Sequence, residues 1–217
     1  MQADTIIRTQ VARDASVLRD LARRIHAHPE LGFKEHQACA WQVDVLQRWG
    51  FRVQRPHGGL ATAYKATWGR GAPHLAYVAE YDALPELGHA CGHNLICTAA
   101  LGAARGLTAA LAATRQAGTV SVIGTPGEEL LGGKVKMLRA GAFNGVDAAL
   151  MAHPGAYTSV DIGSAAVVRF AVTYYGAAAH AAASPERGRN ALDAIMLLFH
   201  GVNAYRQHVP ESCRMHG

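Results

Sequence analysis

At 217 residues the chain is long enough to bury a substantial core as one large domain or one and a half, and its 50% apolar content is that of an ordinary globular protein. A formal charge of +5 does not make it a nucleic-acid binder, because Arg8, Arg13, Arg19, Arg23, Arg24 and the arginines after them lie in amphipathic segments without interleaved aromatics. Four cysteines without framework spacing exclude a disulfide scaffold and suit a cytoplasmic setting, while the absence of a signal-peptide pattern or an uninterrupted apolar run of membrane length argues for a soluble protein with no membrane partner.

In chain order, Val11, Ala15, Leu18, Ala22 and Ile25 draw one apolar stripe and predict a helix over 14–24 that stops near His28-Pro29. The phrase HPELGFKEH follows, then a second helix over 37–49 closed by Gly50 as a left-handed cap. Residues 51–53 and 60–68 alternate as strands, with Pro56, Gly58 and Gly59 turning between them. The apolar run 75–79 is a third strand. Residues 95–113 form a long alanine-rich helix whose Leu95, Ala99, Gly102 and Gly106 face is small enough to press on a sheet. A strand over 119–124, a helix over 134–139 and a strand over 148–152 complete a βαβ series. Strands alternating with helices imply an α/β fold with a mostly parallel sheet flanked by helices.

After His153 the texture changes. Residues 167–175 are a β-branched and aromatic strand, a loop surrounds His180, and a helix runs from about Asn190 to Tyr205 on the stripe Leu192, Ile195, Met196 and Phe199. The expected division is 1–164, a catalytic domain, and 165–217, the incomplete start of a small α+β unit, with the boundary near Ser164. Such a two-element unit buries too little apolar surface to stand alone, so the chain reads as a piece of something longer.

Three strand ends carry chemistry. The strand ending at Ala79 opens into EYDALPELGHACGHN, the one ending at Gly124 into Gly127-Glu128-Glu129, and the one ending at Ala152 into His153-Pro154. In open α/β sheets ligands bind beyond the carboxyl ends of parallel strands, so these groups can meet despite their separation in sequence. Cys91 and His93 supply a thiolate and an imidazole, which are ligands for zinc and its neighbours. In the Glu128-Glu129 pair one carboxylate can ligate metal while the other takes a proton from water. Each group alone has a bland reading: a buried cysteine beside a histidine, an acidic helix start, a hydrogen-bonded core histidine. Their coincidence in one βαβ series favours a metal site.

The phrases HPELGFKEH, EYDALPELGHACGHN, GTPGEE, MAHP and GAAAHAAASPERGRNALDA resemble the metal-dependent aminoacylase and carboxypeptidase group, peptidase family M20, and most of all its Cys-Gly-His branch of auxin-conjugate hydrolases, aminobenzoyl-glutamate hydrolases and dipeptidases. The resemblance runs from about residue 15 to the end. It implies the zinc-peptidase fold with an inserted lid and dimerisation domain, and a homodimer formed through that lid. It further implies two divalent ions, zinc or manganese, held by Cys91, His93, Glu129 and His153. Glu128 would be the base that activates water, and Asp82 would orient a ligand from behind. His180 would steady the oxyanion, a contribution of about 3 kcal/mol, and Asn190 would hold the substrate, an N-acyl amino acid or a dipeptide. Asn94 stands where the branch usually has aspartate and matches the dipeptidase-like members. The family's last histidine ligand comes from a return half with no counterpart here, since His200, His208 and His216 lie on the lid segment. Two other readings are a non-catalytic scaffold of the same fold and a cysteine hydrolase using Cys91 with His93. The latter is disfavoured because residues two apart on a turn seldom aim at each other.

Overall fold

The computed structural model describes residues 2–129, 132–160, 163 and 166–217. It divides into two units, Met1–Thr158 and Ser159–Gly217. Ser164, where the sequence places the boundary, lies outside the described residues.

In the first unit, helices α1 (Ala3–Arg13) and α2 (Ala15–Ala27) meet at Asp14. The Asp14 carboxylate interrupts the run usefully, accepting from Gln10 Nε2 at 2.7 Å and from Arg105 Nε at 3.1 Å, so the junction is tied to a helix far along the chain. The sequence predicts only α2, whose stripe is buried at Leu21, Ala22 and Ile25. Helix α3 (His36–Arg48) is followed by Gly50 at φ +85°. Its free N-terminal amides are met from the HPELGFKEH loop: the Glu30 carboxylate accepts from Gln37 N and Ala38 N, the latter at 2.9 Å. The same loop donates nothing to chemistry directly, but its Glu30 carbonyl accepts from Ala83 N at 2.8 Å and so fixes the Asp-Ala-Leu-Pro segment.

Strands β1 (Arg52–Gln54), β2 (Tyr64–Arg70), β3 (His74–Ala79), β4 (Gly118–Gly124) and β5 (Ala148–Leu150) form one sheet in the order β1-β2-β4-β3-β5. The expected parallel half is present: β3 pairs in parallel with β4 on one side and with β5 on the other. β1 and β2 extend the sheet antiparallel, making it mixed. In this register Ala79 lies opposite Gly124 and Tyr77 opposite Leu150, so all three parallel strands end on one rim with β3 in the middle. The short helix α5 (Gly133–Arg139) lies between β4 and β5 in sequence.

Helix α4 (His93–Thr114) spans 22 residues and is long and apolar enough to cross a bilayer by length and composition, which the reading from sequence did not anticipate. Its apolarity has a local cause. Cys97, Leu101 and Ala104 enter the main core with Val120 and Val122 of β4. The opposite side meets helices, and here the structure corrects the sequence: the small face at Gly102 and Gly106 receives α2 and α1. A Cβ built on Gly106 would lie 2.9 Å from Ile7 Cγ2, and one on Gly102 would lie 3.0 Å from Leu18 Cδ1. Small residues let helix backbones approach each other as effectively as they let a helix approach a sheet.

In the second unit, α6 (Ala191–Tyr205) forms as expected, yet its stripe of Leu192, Ile195, Met196 and Phe199 is exposed. The strand expected over 167–175 is absent, and all nine residues are exposed. β-propensity measures how well a side chain fits a pleated, half-buried surface, and among the described residues no strand lies beside this segment. A single bridge, Ala177 with Arg189, closes the loop around His180.

Candidate metal centre

The rim of β4, β3 and β5 places the acidic and imidazole groups. Glu80, Tyr81 and Asp82 leave β3, and Thr125 to Glu129 leave β4. The two exits stay joined one residue beyond the strands, because Thr125 N donates to the Ala79 carbonyl at 2.8 Å. His93 opens α4, directly after Gly92 at φ +76°.

His93 is the hub. Its side chain is 1% exposed. Nδ1 lies 3.1 Å from Asp82 Oδ1, an arrangement that fixes the ring and leaves Nε2 turned the other way. Around Nε2 stand Glu80 Oε2 at 3.6 Å, Glu129 Oε1 at 3.6 Å and Glu128 Oε2 at 3.8 Å. One ligand atom from each of His93, Glu128 and Glu129 lies within 4.8 Å of the other two, and the same holds for Glu80, His93 and His153. The His93 and His153 rings meet edge to face with centroids 6.2 Å apart.

Gly92 shows why the turn between Cys91 and His93 needs a glycine. The left-handed backbone that turns the chain into α4 is one that side chains rarely adopt, and a Cβ at Gly92 would sit 2.8 Å from Pro154 Cγ. The Pro154 ring of the His-Pro turn therefore sits where a side chain at position 92 would stand. Gly92→Ala is expected to cost about 1–3 kcal/mol in strain, to push His153 away from His93, and to weaken metal binding. Paired thermal melts and metal titrations check this, and a variant with unchanged affinity would show that the contact does not set the spacing.

The carboxylates differ in how they are held. Asp82 Oδ2 accepts from Glu129 N at 3.0 Å. The Cys91 thiol stands close enough to the Glu129 carboxylate to be raised by it. Lys134 Nζ donates to Glu80 Oε1. Among the described residues no hydrogen bond holds the Glu128 carboxylate. Its side chain is 41% exposed against 17% for Glu129, so Glu128 is the member of the pair open to solvent. Burial, followed by the charge of Glu80, raises the Glu128 carboxyl above its ordinary value, which makes it a better proton acceptor once ionised.

The donor set fits a cation. Among the described residues His93 Nε2 and Glu80 Oε2 are buried without hydrogen-bond partners, an arrangement that is costly unless something positive lies between them. Burial opposes a charged His93 ring, but the Asp82 hydrogen bond and the charges of Asp82, Glu80 and Glu129 outweigh it and raise the ring above its ordinary value. Cys91 is pushed up to about 11, first by the neighbouring Glu129 carboxylate and then by burial. A thiol in these acidic surroundings stays protonated unless a cation joins it, which removes the basis for a cysteine nucleophile.

Of the residues singled out from sequence, the structure gathers Asp82, His93, Glu128, Glu129 and His153. Cys91 adjoins Glu129 without entering either triad. Beside them opens a cleft of about 600 Å³ lined by His26, His89, Cys91 and His153. His89 is pushed down to about 4, chiefly by burial, so its ring is neutral. His180 and Asn190 belong to the second unit. There His180 Nδ1 accepts from the amides of Ala182 and Ala183 at 3.2 and 3.1 Å, which leaves the ring proton on Nε2. Asn190 Oδ1 caps α6 by accepting from Leu192 N at 3.0 Å. Sequence reasoning missed Glu80 and Lys134. Glu80 was legible, since it alternates with Asp82 across Tyr81 where a strand gives out, so the two carboxylates emerge on one side.

The family model of peptidase family M20/M25/M40 matches residues 76–213. The chain is 42% identical to an Xaa-Arg dipeptidase of Mus musculus, over 94% of this chain and 50% of the mouse protein. It is 38% identical to a p-aminobenzoyl-glutamate hydrolase polypeptide of Escherichia coli, over 95% of this chain and 47% of the bacterial one. Among solved structures it is similar to the YXEP protein of Bacillus subtilis, a dinuclear metal-binding peptidase, with a TM-score of 0.50 and 31% identity over 62% of this chain and 41% of that one. The chain thus spans about half the length of the curated relatives it matches.

Proposed function

Because the chain belongs to peptidase family M20/M25/M40, we propose that it carries the reaction centre of a metal-dependent amidohydrolase that cleaves dipeptides or N-acyl amino acids. The observation that carries this reading is the buried Nε2 of His93, encircled by three carboxylates and without a hydrogen-bond partner among the described residues. Cys91, His93, Glu129 and His153 would hold two divalent ions, zinc or manganese being the metals that suit mixed N, O and S donors, with Glu80 as a further candidate ligand. When bound, such ions supply Lewis acidity toward water and toward an amide carbonyl.

The protein's own groups do the rest. Asp82 keeps the His93 proton on Nδ1 and so leaves Nε2 as a donor of electrons. Glu128, unheld and open to the solvent side, accepts the proton of the attacking water at its carboxylate and returns it to the leaving amine nitrogen. His180, with its proton on Nε2, is suited to donate to an oxyanion, and Asn190, whose Oδ1 is committed to the cap, has its amide left to bind a substrate carboxylate. A homodimer formed through the second unit, and a cytoplasmic setting, complete the reading. The names of the two sequence relatives support the substrate class, since both describe cleavage of an amide that joins an acyl group to an amino acid.

The test is metal analysis of the purified chain after dialysis, beside hydrolysis of a panel of dipeptides and N-acyl amino acids. Retained divalent metal is expected, and a chelator should remove it together with any hydrolysis. A chain that leaves dialysis free of metal, or hydrolysis indifferent to the chelator, sinks the reading.

A further inference from the structure

The Glu35 side chain is fully buried, yet it stands outside the cluster around His93. Placing a carboxylate in the interior is costly unless its oxygens are met by donors. Here both are met: Oε1 accepts from Gly127 N at 2.8 Å and Oε2 from Thr62 Oγ1 at 2.9 Å. Each bond leads to one arm of the centre. Gly127 directly precedes Glu128 and Glu129. Thr62, through its carbonyl, accepts from Tyr81 Oη at 2.6 Å, and Tyr81 lies between Glu80 and Asp82.

Gly127 is confined on other sides as well. Its φ is +66°, and a Cβ there would lie 2.6 Å from Phe33 Cε1. Its carbonyl accepts from Gly133 N at 3.0 Å, and Lys136 Nζ stands over the ring of neighbouring Phe33 at 4.4 Å from the centroid. The amide of Gly127 is the one remaining degree of attachment, and Glu35 takes it. The HPELGFKEH phrase thus reaches the centre twice, by Glu30 at Ala83 and by Glu35 at Gly127.

We propose that Glu35 is a positioning residue, its carboxylate clamping the Gly127 turn to Thr62 and thereby to Tyr81, so that the carboxylates of both arms arrive at His93 in one geometry. The inference rests on the metal reading above. It predicts that loosening Glu35 alters ion affinity through a residue that touches no ion.

The experiment compares the wild-type chain with Glu35→Ala, Glu35→Gln, Thr62→Val and Leu46→Ala, the last a core variant matched for lost stability. Two quantities are read: amide hydrogen exchange over 127–129, which needs no metal, and Co(II) affinity from its visible absorption. Glu35→Ala should exchange faster there than Leu46→Ala and bind Co(II) about 10–100-fold more weakly, the range for loss of an outer support. Glu35→Gln, which keeps an acceptor for Gly127 and a donor for the Thr62 hydroxyl, should recover most of both. Thr62→Val, close in shape to threonine, should fall between and serves if Glu35→Ala does not fold. Exchange and affinity equal to those of Leu46→Ala overturn the clamp. Failure of the wild type to bind Co(II) overturns the metal reading instead, and exchange alone then decides on the clamp.

Discussion

Glu128→Ala is expected to lower the rate of amide hydrolysis by about 10²–10⁴-fold, the usual contribution of a positioned general base, while leaving metal content unchanged. The asymmetry of the Glu128-Glu129 pair dictates this. Glu129 is fastened through its amide to Asp82. Glu80 is fastened to Lys134. The Glu128 carboxylate has no hydrogen bond among the described residues and is the more exposed of the pair, and its carboxyl is raised by burial and by the charges of Glu80 and Glu129. Steady-state kinetics with parallel metal analysis decide the matter. Hydrolysis that survives the substitution removes Glu128 from the role of base, and loss of metal along with activity would make it a ligand.

His93→Ala should have the larger effect on the folded state. It removes the group on which both triads depend and leaves Asp82 Oδ1 buried without its partner. Breaking a buried pair on one side costs about 3–5 kcal/mol, and ion affinity should fall by more than the ~10–100-fold that follows loss of a group supporting a ligand from behind. His93→Asn separates the two effects, because its amide nitrogen can occupy the place of Nδ1 and donate to Asp82 but offers nothing at the place of Nε2. Urea unfolding of the metal-free forms should show Asn recovering stability relative to Ala, and titration should show neither variant binding like the wild type. If His93→Ala kept the affinity of the wild type, the hub role would fall.

Much of this was legible in the chain because the signals were local. The run before Glu80 and the run that ends at Gly124 are short and largely apolar, with charge following within four residues, which is how a buried strand meets a site. Strand order was not legible. Alternation in 60–68 marks a strand but carries no direction, so nothing local says that β2 runs antiparallel to β4 or that β4 sits between β2 and β3. The exposed run 167–175 misled for the complementary reason: valine, phenylalanine and tyrosine favour a strand only when a sheet receives them. Gly102 and Gly106 signalled close packing correctly, but small residues do not name the partner. The role of Glu35 was hidden because its bonds span 27 and 92 positions, and a buried carboxylate in a loop phrase has the same letters as an exposed one.

The placement of His93 as the first residue of α4 has a wider consequence. Four residues on, Cys97 is fully buried, and Leu101 lies in the same core. The imidazole is therefore carried by a helix anchored in the core rather than hung on a loop. A form whose interior has melted while His93 keeps its place among the carboxylates therefore has no structural basis.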